Sequence, residues 1–236
     1  MRTLILSCNT GAGHNSCAKA LQETFTAHGE VCDIIDALQF ISERASQFIS
    51  NWHTRIYLYA PKLFKAGYQG AENHDSLFHE GTGIYKFLTS GADRIYDYIV
   101  EGEYDNIICT HVFPALAISE MQERHPSIRI TTSFISTDYT CSPSVSDSNL
   151  EWYFIPAESL KDEFARCGVP SEKLVASGLP AKRAFYARPD KKAAKAALGF
   201  DEDQRHLLVM CGSMGCGPIR DITELLCENI SEDQTV

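Results

Sequence analysis

Short apolar runs alternate with stretches of helical periodicity from the first residues of the chain onward. The apolar run 4–6 predicts a strand, and apolar residues then recur at helical spacing from Ser16 to His28, where Gly29 suits a helix C-cap. Residues 31–35 predict a second strand. Because strand–helix–strand units are right-handed with parallel strands, this start predicts a parallel sheet.

The same alternation continues to about residue 180. We predict helices over residues 40–56, 84–98, 114–124 and 158–167, and strands over residues 106–109, 129–135, 152–155 and 174–176. Pro114 suits the first turn of its helix, where its missing N–H needs no partner. Strands separated by helices in this way predict an α/β fold with a Rossmann-like, doubly wound parallel sheet.

A second strand–glycine–helix pattern follows near the end of the chain. The apolar run 206–211 predicts a buried strand, and it is followed by a glycine-rich loop and a helical pattern that reaches Ile230. We therefore expect a first domain over residues 1–186, a linker over 187–204, and an incomplete second Rossmann-like domain over 205–236.

Composition narrows the classes of function. The 236 residues carry a formal charge of −10, which argues against a nucleic-acid partner. The nine cysteines include no C-x-x-C pair, so reduced thiols in a cytoplasmic protein are expected. The early sequence lacks the apolar stretch of a signal peptide, and no apolar run reaches the ~18–20 residues of a membrane span.

The segment 57–68 combines large aromatic residues with lysines, among them Tyr57, Phe64 and Lys65, and Pro61 interrupts its helical pattern. Two interpretations stay open. The segment packs on the sheet as part of a helical hairpin, or it forms an aromatic and basic surface that lies on lipid.

The turn after the first strand, Thr10-Gly11-Ala12-Gly13-His14, is the first candidate for chemistry. Glycines permit a sharp turn and close approach of a ligand, and His14 places at the start of a helix the residue type most often used for general acid–base chemistry. Neither this loop nor the one at 212–217 completes a P-loop or a G-x-G-x-x-G motif, so glycine spacing alone supports no nucleotide site.

Polar residues also follow two later strands. Thr110 and His111 come after the strand at 106–109, and Asp138 comes after the strand at 129–135. Because ligands bind outside the carboxyl ends of parallel strands, these residues are expected beside the first glycine turn. The structural alternatives are that His111 caps the next helix and that Asp138 forms an Asx-turn.

Six fragments, in this order and spacing, resemble the lipid-directed GT-B glycosyltransferases, which include monogalactosyldiacylglycerol synthases and processive diacylglycerol glucosyltransferases. They are Thr10–His14, the segment 57–68, Thr110–Pro114, Thr137–Tyr139, Ser177–Pro180 and Gly212–Ile219. The resemblance implies transfer of a hexose from a UDP-sugar to diacylglycerol by a peripheral protein on the inner face of a membrane, without a metal or further cofactor.

The resemblance also implies residue roles. The catalytic residues would be His14, as the base that takes the acceptor hydroxyl proton, and Asp138. The acceptor-binding residues would be Gly11, Gly13, Thr110, His111, Tyr57, Phe64 and Lys65. The residues facing the donor diphosphate would be Gly212, Ser213, Gly215 and Gly217, together with the start of the following helix.

The chain departs from this family pattern because the donor domain would continue well beyond residue 236. We therefore expect little or no transferase activity from the 236-residue chain, with the first domain acting as the acceptor side. Two other functions remain as alternatives: a lipid-surface binding module without catalysis, and an unrelated Rossmann-like enzyme that binds a nucleotide at the first glycine turn.

Overall fold

The structure, a computed structural model, describes residues 1–9, 12–42, 79–142, 144–211, 217–230 and 234–235. The chain divides into two units, Met1–Lys182 and Arg183–Val236. The predicted helix over 40–56 lies outside the described residues beyond Ser42, as does all of the segment 57–68. The predicted domain boundaries at residues 186 and 204 stay predictions.

The first unit is built on six strands that all run parallel, in the order β2-β1-β3-β4-β5-β6. The strands are β1 Arg2–Ser7, β2 Val31–Asp36, β3 Asn106–Cys109, β4 Thr131–Ile135, β5 Trp152–Ile155 and β6 Leu174–Ala176. The helices are α1 Ala12–Ala27, α2 Gly83–Thr89, α3 Ala92–Glu101, α4 Val112–Arg124 and α5 Lys161–Arg166. The predicted Rossmann-like parallel sheet is therefore confirmed.

Side chains alternate across β1 and bury both faces of the sheet. Leu4 and Leu6 belong to the main core, which also contains buried residues of α3 and α4. Ile5 belongs to a second cluster with Cys17 and Ala18 of α1. Because neighbouring residues of a strand point to opposite faces, one helix layer covers each face, as doubly wound sheets require.

Two predicted helices have different bounds in the structure. The first begins at Ala12 rather than Ser16, which places His14 in its first turn. The single helix predicted over 84–98 is two helices, α2 and α3, that separate at Gly91. A side chain at Gly91 would lie 2.8 Å from the Phe40 carbonyl group, so the close approach of the backbones accompanies the break.

The second unit contains α6 Lys191–Ala197, β7 Arg205–His206, α7 Ile219–Asn229 and β8 Gln234–Thr235. The prediction of a buried strand over 206–211 is wrong, since only Arg205 and His206 pair with β8. Leu208 is 83% exposed and Met210 is 73% exposed. An apolar strand is buried only when neighbouring strands and helices cover it, and the described residues of this unit do not cover this one.

Candidate functional site

The candidate site lies at the carboxyl edge of the six-stranded sheet. β1 pairs with β2 on one side and β3 on the other, so the order of the strands reverses at this point. Open α/β sheets bind ligands in the crevice formed at such a reversal. The side chains that follow β1, β3 and β4 meet here, as the sequence predicted.

His14, half-buried in the first turn of α1, is the centre of this group. Its Nδ1 lies 2.7 Å from the carbonyl oxygen of Thr110 and 2.9 Å from Oγ1 of Thr137. A carbonyl oxygen only accepts hydrogen bonds, so Nδ1 must carry the proton. The neutral imidazole then has its lone pair on Nε2, which is the nitrogen able to accept a proton.

His111 lies beside His14 but makes a different hydrogen bond. The two rings meet edge to face, with centroids 4.6 Å apart. Nδ1 of His111 accepts the backbone N–H of Phe113 at 3.1 Å, so this side chain is the N-cap of α4. The structure thus shows the capping role that the sequence left as an alternative, in a residue that also lines the candidate site.

Thr110 and Gly13 border the same imidazole. Thr110 is fully buried, and its hydroxyl has no hydrogen-bond partner among the residues that the structure describes. Gly13 lies within α1, and a Cβ there would meet no atom within 4 Å. The fold therefore does not require glycine at this position, and the space beside it is open.

Asp138 is exposed, and no hydrogen bond joins it directly to His14, although both residues lie at the carboxyl edge of the sheet. Its carboxylate lies 3.5 Å from Oγ1 of Thr137, at the limit of a hydrogen bond, and Thr137 in turn contacts His14. Thr137 is therefore the residue that sequence reasoning missed. Its position directly after a β-rich run was the available signal.

A chain of side-chain hydrogen bonds links the end of β1, the first turn of α1 and the end of β2. Ser7 Oγ donates to Asn15 at 2.7 Å, Asn15 donates to Asn9 at 2.8 Å, and Asn9 donates to Asp36 at 3.0 Å. The other oxygen of Asp36 accepts the backbone N–H of Leu38. In dinucleotide-binding folds the acid in this region binds ribose, whereas both oxygens of Asp36 have partners within the protein. This argues against the nucleotide-binding alternative.

Glu163 of α5 holds the segment that follows Asp138. Its Oε1 accepts the backbone N–H of Cys141 and the hydroxyl of Thr140, each at 2.8 Å. These two hydrogen bonds, the backbone one foremost, lower the pKa of the Glu163 carboxyl because they stabilise its charged form. The ionised carboxylate therefore fastens this segment to the body of the first unit.

The second glycine loop is described only at its end. Gly217 has φ +137°, a backbone conformation that favours glycine, and Pro218 and the first turn of α7 follow it. Seven predicted site residues lie outside the described residues: Gly11, Tyr57, Phe64, Lys65, Gly212, Ser213 and Gly215. Their roles stay predictions.

Among the described residues, no cluster of three or more histidine, cysteine, aspartate or glutamate side chains could hold a metal ion. No helix within them is long and apolar enough to cross a membrane.

A cavity of about 510 Å³ lies at the amino ends of β3 and β4, lined in part by Asp105 and Arg129, and is thus at the opposite edge of the sheet from His14.

The fold and the site together define a class of protein. A parallel Rossmann-like sheet with an imidazole in the first turn after β1 is consistent with the GT-B class of glycosyltransferases. A family model for monogalactosyldiacylglycerol (MGDG) synthase matches residues 14–181. The chain belongs to this family, which confirms the resemblance seen in its motifs.

Individual relatives are more distant. The chain is 22% identical over 229 residues to a processive diacylglycerol beta-glucosyltransferase of Bacillus cereus (strain B4264), a match covering 94% of this chain and 56% of that protein. It is 24% identical over 218 residues to the protein of the same name from Staphylococcus saprophyticus, covering 91% of this chain and 53% of the relative. The chain thus spans about half the length of these curated relatives.

Proposed function

We propose that this chain is the acceptor side of a glycosyltransferase that transfers a hexose from a UDP-sugar to diacylglycerol. Membership of the MGDG synthase family and the names of the relatives support this activity. The observation that carries the proposal is His14, whose Nδ1 is held at a carbonyl while Nε2 keeps the lone pair.

In the proposed reaction, Nε2 of His14 takes the proton from the acceptor hydroxyl. The acceptor oxygen then forms a bond to the anomeric carbon of the sugar, and the bond from that carbon to the UDP oxygen breaks. Imidazole is the side chain that enzymes use most often as a general base. Asp138 contributes negative charge close to the developing imidazolium.

The donor side of the proposal rests on the second unit. The glycine loop that ends at Gly217 and the free N–H groups at the start of α7 offer backbone donors to a diphosphate. We propose that UDP is the leaving group held there, with no metal or cofactor in the reaction. Leu208 and Met210 are exposed, which supports the proposal that the apolar run of this unit lacks the elements that would bury it. We therefore expect little transfer by the 236-residue chain alone.

We place the protein at the inner face of a membrane, where its acceptor would be found. The aromatic and basic residues of the segment 57–68 support this placement. The alternative function, a lipid-binding module without catalysis, would use the same surface. Vesicle co-sedimentation of a Tyr57/Phe64/Lys65 triple variant measures whether this surface binds lipid. Catalysis needs the separate test that follows.

The test of function uses the chain joined to the C-terminal remainder of the B. cereus relative, with radiolabelled UDP-hexose and diacylglycerol vesicles. We expect His14→Ala to slow transfer by about 10²–10⁴-fold, as loss of a general base does. His28→Ala is the matched control, because Nδ1 of His28 also lies next to a backbone carbonyl oxygen, that of Thr24 at 2.8 Å. Equal rates in the two variants would overturn His14 as the base, and robust transfer by the 236-residue chain would overturn its incompleteness.

A further inference from the structure

We infer that Thr137 is a positioning residue, whose hydroxyl accepts a second branch of the hydrogen bond by which the Thr110 carbonyl fixes His14 as the tautomer with its basic lone pair on Nε2. The hydrogen bonds alone support the tautomer of His14, whereas the effect of Thr137 on the rate of transfer rests on the proposed function. Thr137 lies 123 residues from His14 in the sequence and meets it because β4 ends beside the start of α1.

The two contacts on Nδ1 admit one arrangement of hydrogens. The Thr110 carbonyl at 2.7 Å must receive the Nδ1 proton, since two lone pairs at that distance would repel each other. A protonated Nδ1 cannot accept from the Thr137 hydroxyl. The hydroxyl oxygen at 2.9 Å therefore accepts a second branch of the same hydrogen bond.

This arrangement leaves the Thr137 hydroxyl proton available to Asp138. The carboxylate oxygen Oδ2 lies 3.5 Å from Oγ1, and no hydrogen bond joins Asp138 to the imidazole itself. The negative charge thus acts on His14 through Thr137. When Nε2 gains a proton, the branched hydrogen bond strengthens and stabilises the imidazolium, because hydrogen bonds to charged groups are the stronger ones.

Two nearly isosteric variants separate this role from packing. Thr137→Val removes the hydroxyl and keeps the shape, while Thr137→Ser keeps the hydroxyl. Long-range proton–nitrogen NMR of the 236-residue chain at about pH 8, where histidine is neutral, reports which ring nitrogen carries the proton. We expect the Nδ1–H form of His14 in all three proteins, because the Thr110 carbonyl is unchanged. In Thr137→Val alone we expect the Nδ1 proton signal to move upfield, because one branch of its hydrogen bond is lost.

A control variant tests whether any lost threonine hydroxyl has this effect. Thr24→Val removes a hydroxyl that bonds to Ala20 on the same helix, and it should leave the His14 spectrum unchanged. In the joined enzyme, Thr137→Val should lower kcat by about 10-fold with little change in KM, and Thr137→Ser should restore most of it.

An Nε2–H tautomer in the wild type, or an Nδ1 proton signal in Thr137→Val at its wild-type position, would overturn the positioning role whatever the enzyme does. A shifted Nδ1 proton signal together with normal transfer by His14→Ala would overturn the proposed function and leave the tautomer assignment standing.

Discussion

Two segments of this chain share one sequence pattern, an apolar run followed by glycines and a helix, and they have opposite environments. In the first, Leu6 is fully buried because β1 lies between two strands and beneath helices on both faces. In the second, Leu208 is 83% exposed, and among the described residues of this unit only the two residues of β7 pair with another strand. The pattern alone therefore does not specify burial, which depends on the elements that cover the run.

The largest expected difference between the two segments is in stability. Leu6→Ala should lower the free energy of unfolding by about 3 kcal/mol, because it removes buried methyl groups and leaves a cavity. Leu208→Ala makes the same chemical change at an exposed position, where about 0.5 kcal/mol or less is expected. Urea unfolding followed by circular dichroism measures both variants.

This pair of variants can break the comparison. If Leu208→Ala were as destabilising as Leu6→Ala, the second apolar run would be packed in the folded chain. The two segments would then differ in sequence position and not in environment.

Cysteine reactivity tests the same difference in burial between the two segments, and its expected effect is somewhat smaller. Burial raises the pKa of the Cys17 thiol to about 11 and that of Cys8 well above its usual range, whereas Cys211 is exposed. Only the thiolate reacts, and a thiol of that pKa is about 0.1% ionised at pH 8. Iodoacetamide should therefore modify Cys211 at least about 100-fold faster than Cys8 or Cys17.

Peptide mass spectrometry after timed alkylation provides the rates. Labelling in denaturant, where all thiols are exposed, is the control for intrinsic peptide differences. Comparable rates at Cys8 and Cys211 in the native chain would contradict the burial of the first segment.

Local pattern was sufficient to predict the six strands of the first unit and the position of His14 after the first of them. Alternation of strands and helices also predicted that Thr110 and His111 would lie near His14, whereas Asp138, expected at the same edge, is linked to it through Thr137. These features depend on periodicity and on one topological rule, so they can be inferred from a single sequence.

Contacts between distant residues could not be inferred in the same way. The break at Gly91 coincides with the close approach of Phe40, about fifty residues earlier in the sequence, which the helix pattern does not reveal. The role of Thr137 likewise depends on a 2.9 Å contact across the sheet edge. The exposure of Leu208 depends on which elements cover it, which hydropathy does not record.

The smallest expected effect on stability comes from removing one asparagine hydrogen bond in each segment. Asn15 accepts from the buried Ser7 hydroxyl and donates to Asn9, so Asn15→Ala leaves Ser7 without its partner. A loss of about 1–2 kcal/mol in the free energy of unfolding follows from that unpaired group. Asn229→Ala in α7 removes an amide that donates to the Leu225 carbonyl at the exposed surface, where about 0.5 kcal/mol or less is expected.

The same urea unfolding experiment compares the two asparagines. Because Asn15 lies next to His14 in the first turn of α1, the His14 NMR signals should also shift in Asn15→Ala and stay in place in Asn229→Ala. Equal and small losses in both variants would mean that the hydrogen-bond chain from Ser7 to Asp36 does not stabilise the turn. The position of His14 would then depend on Thr110 and Thr137 alone.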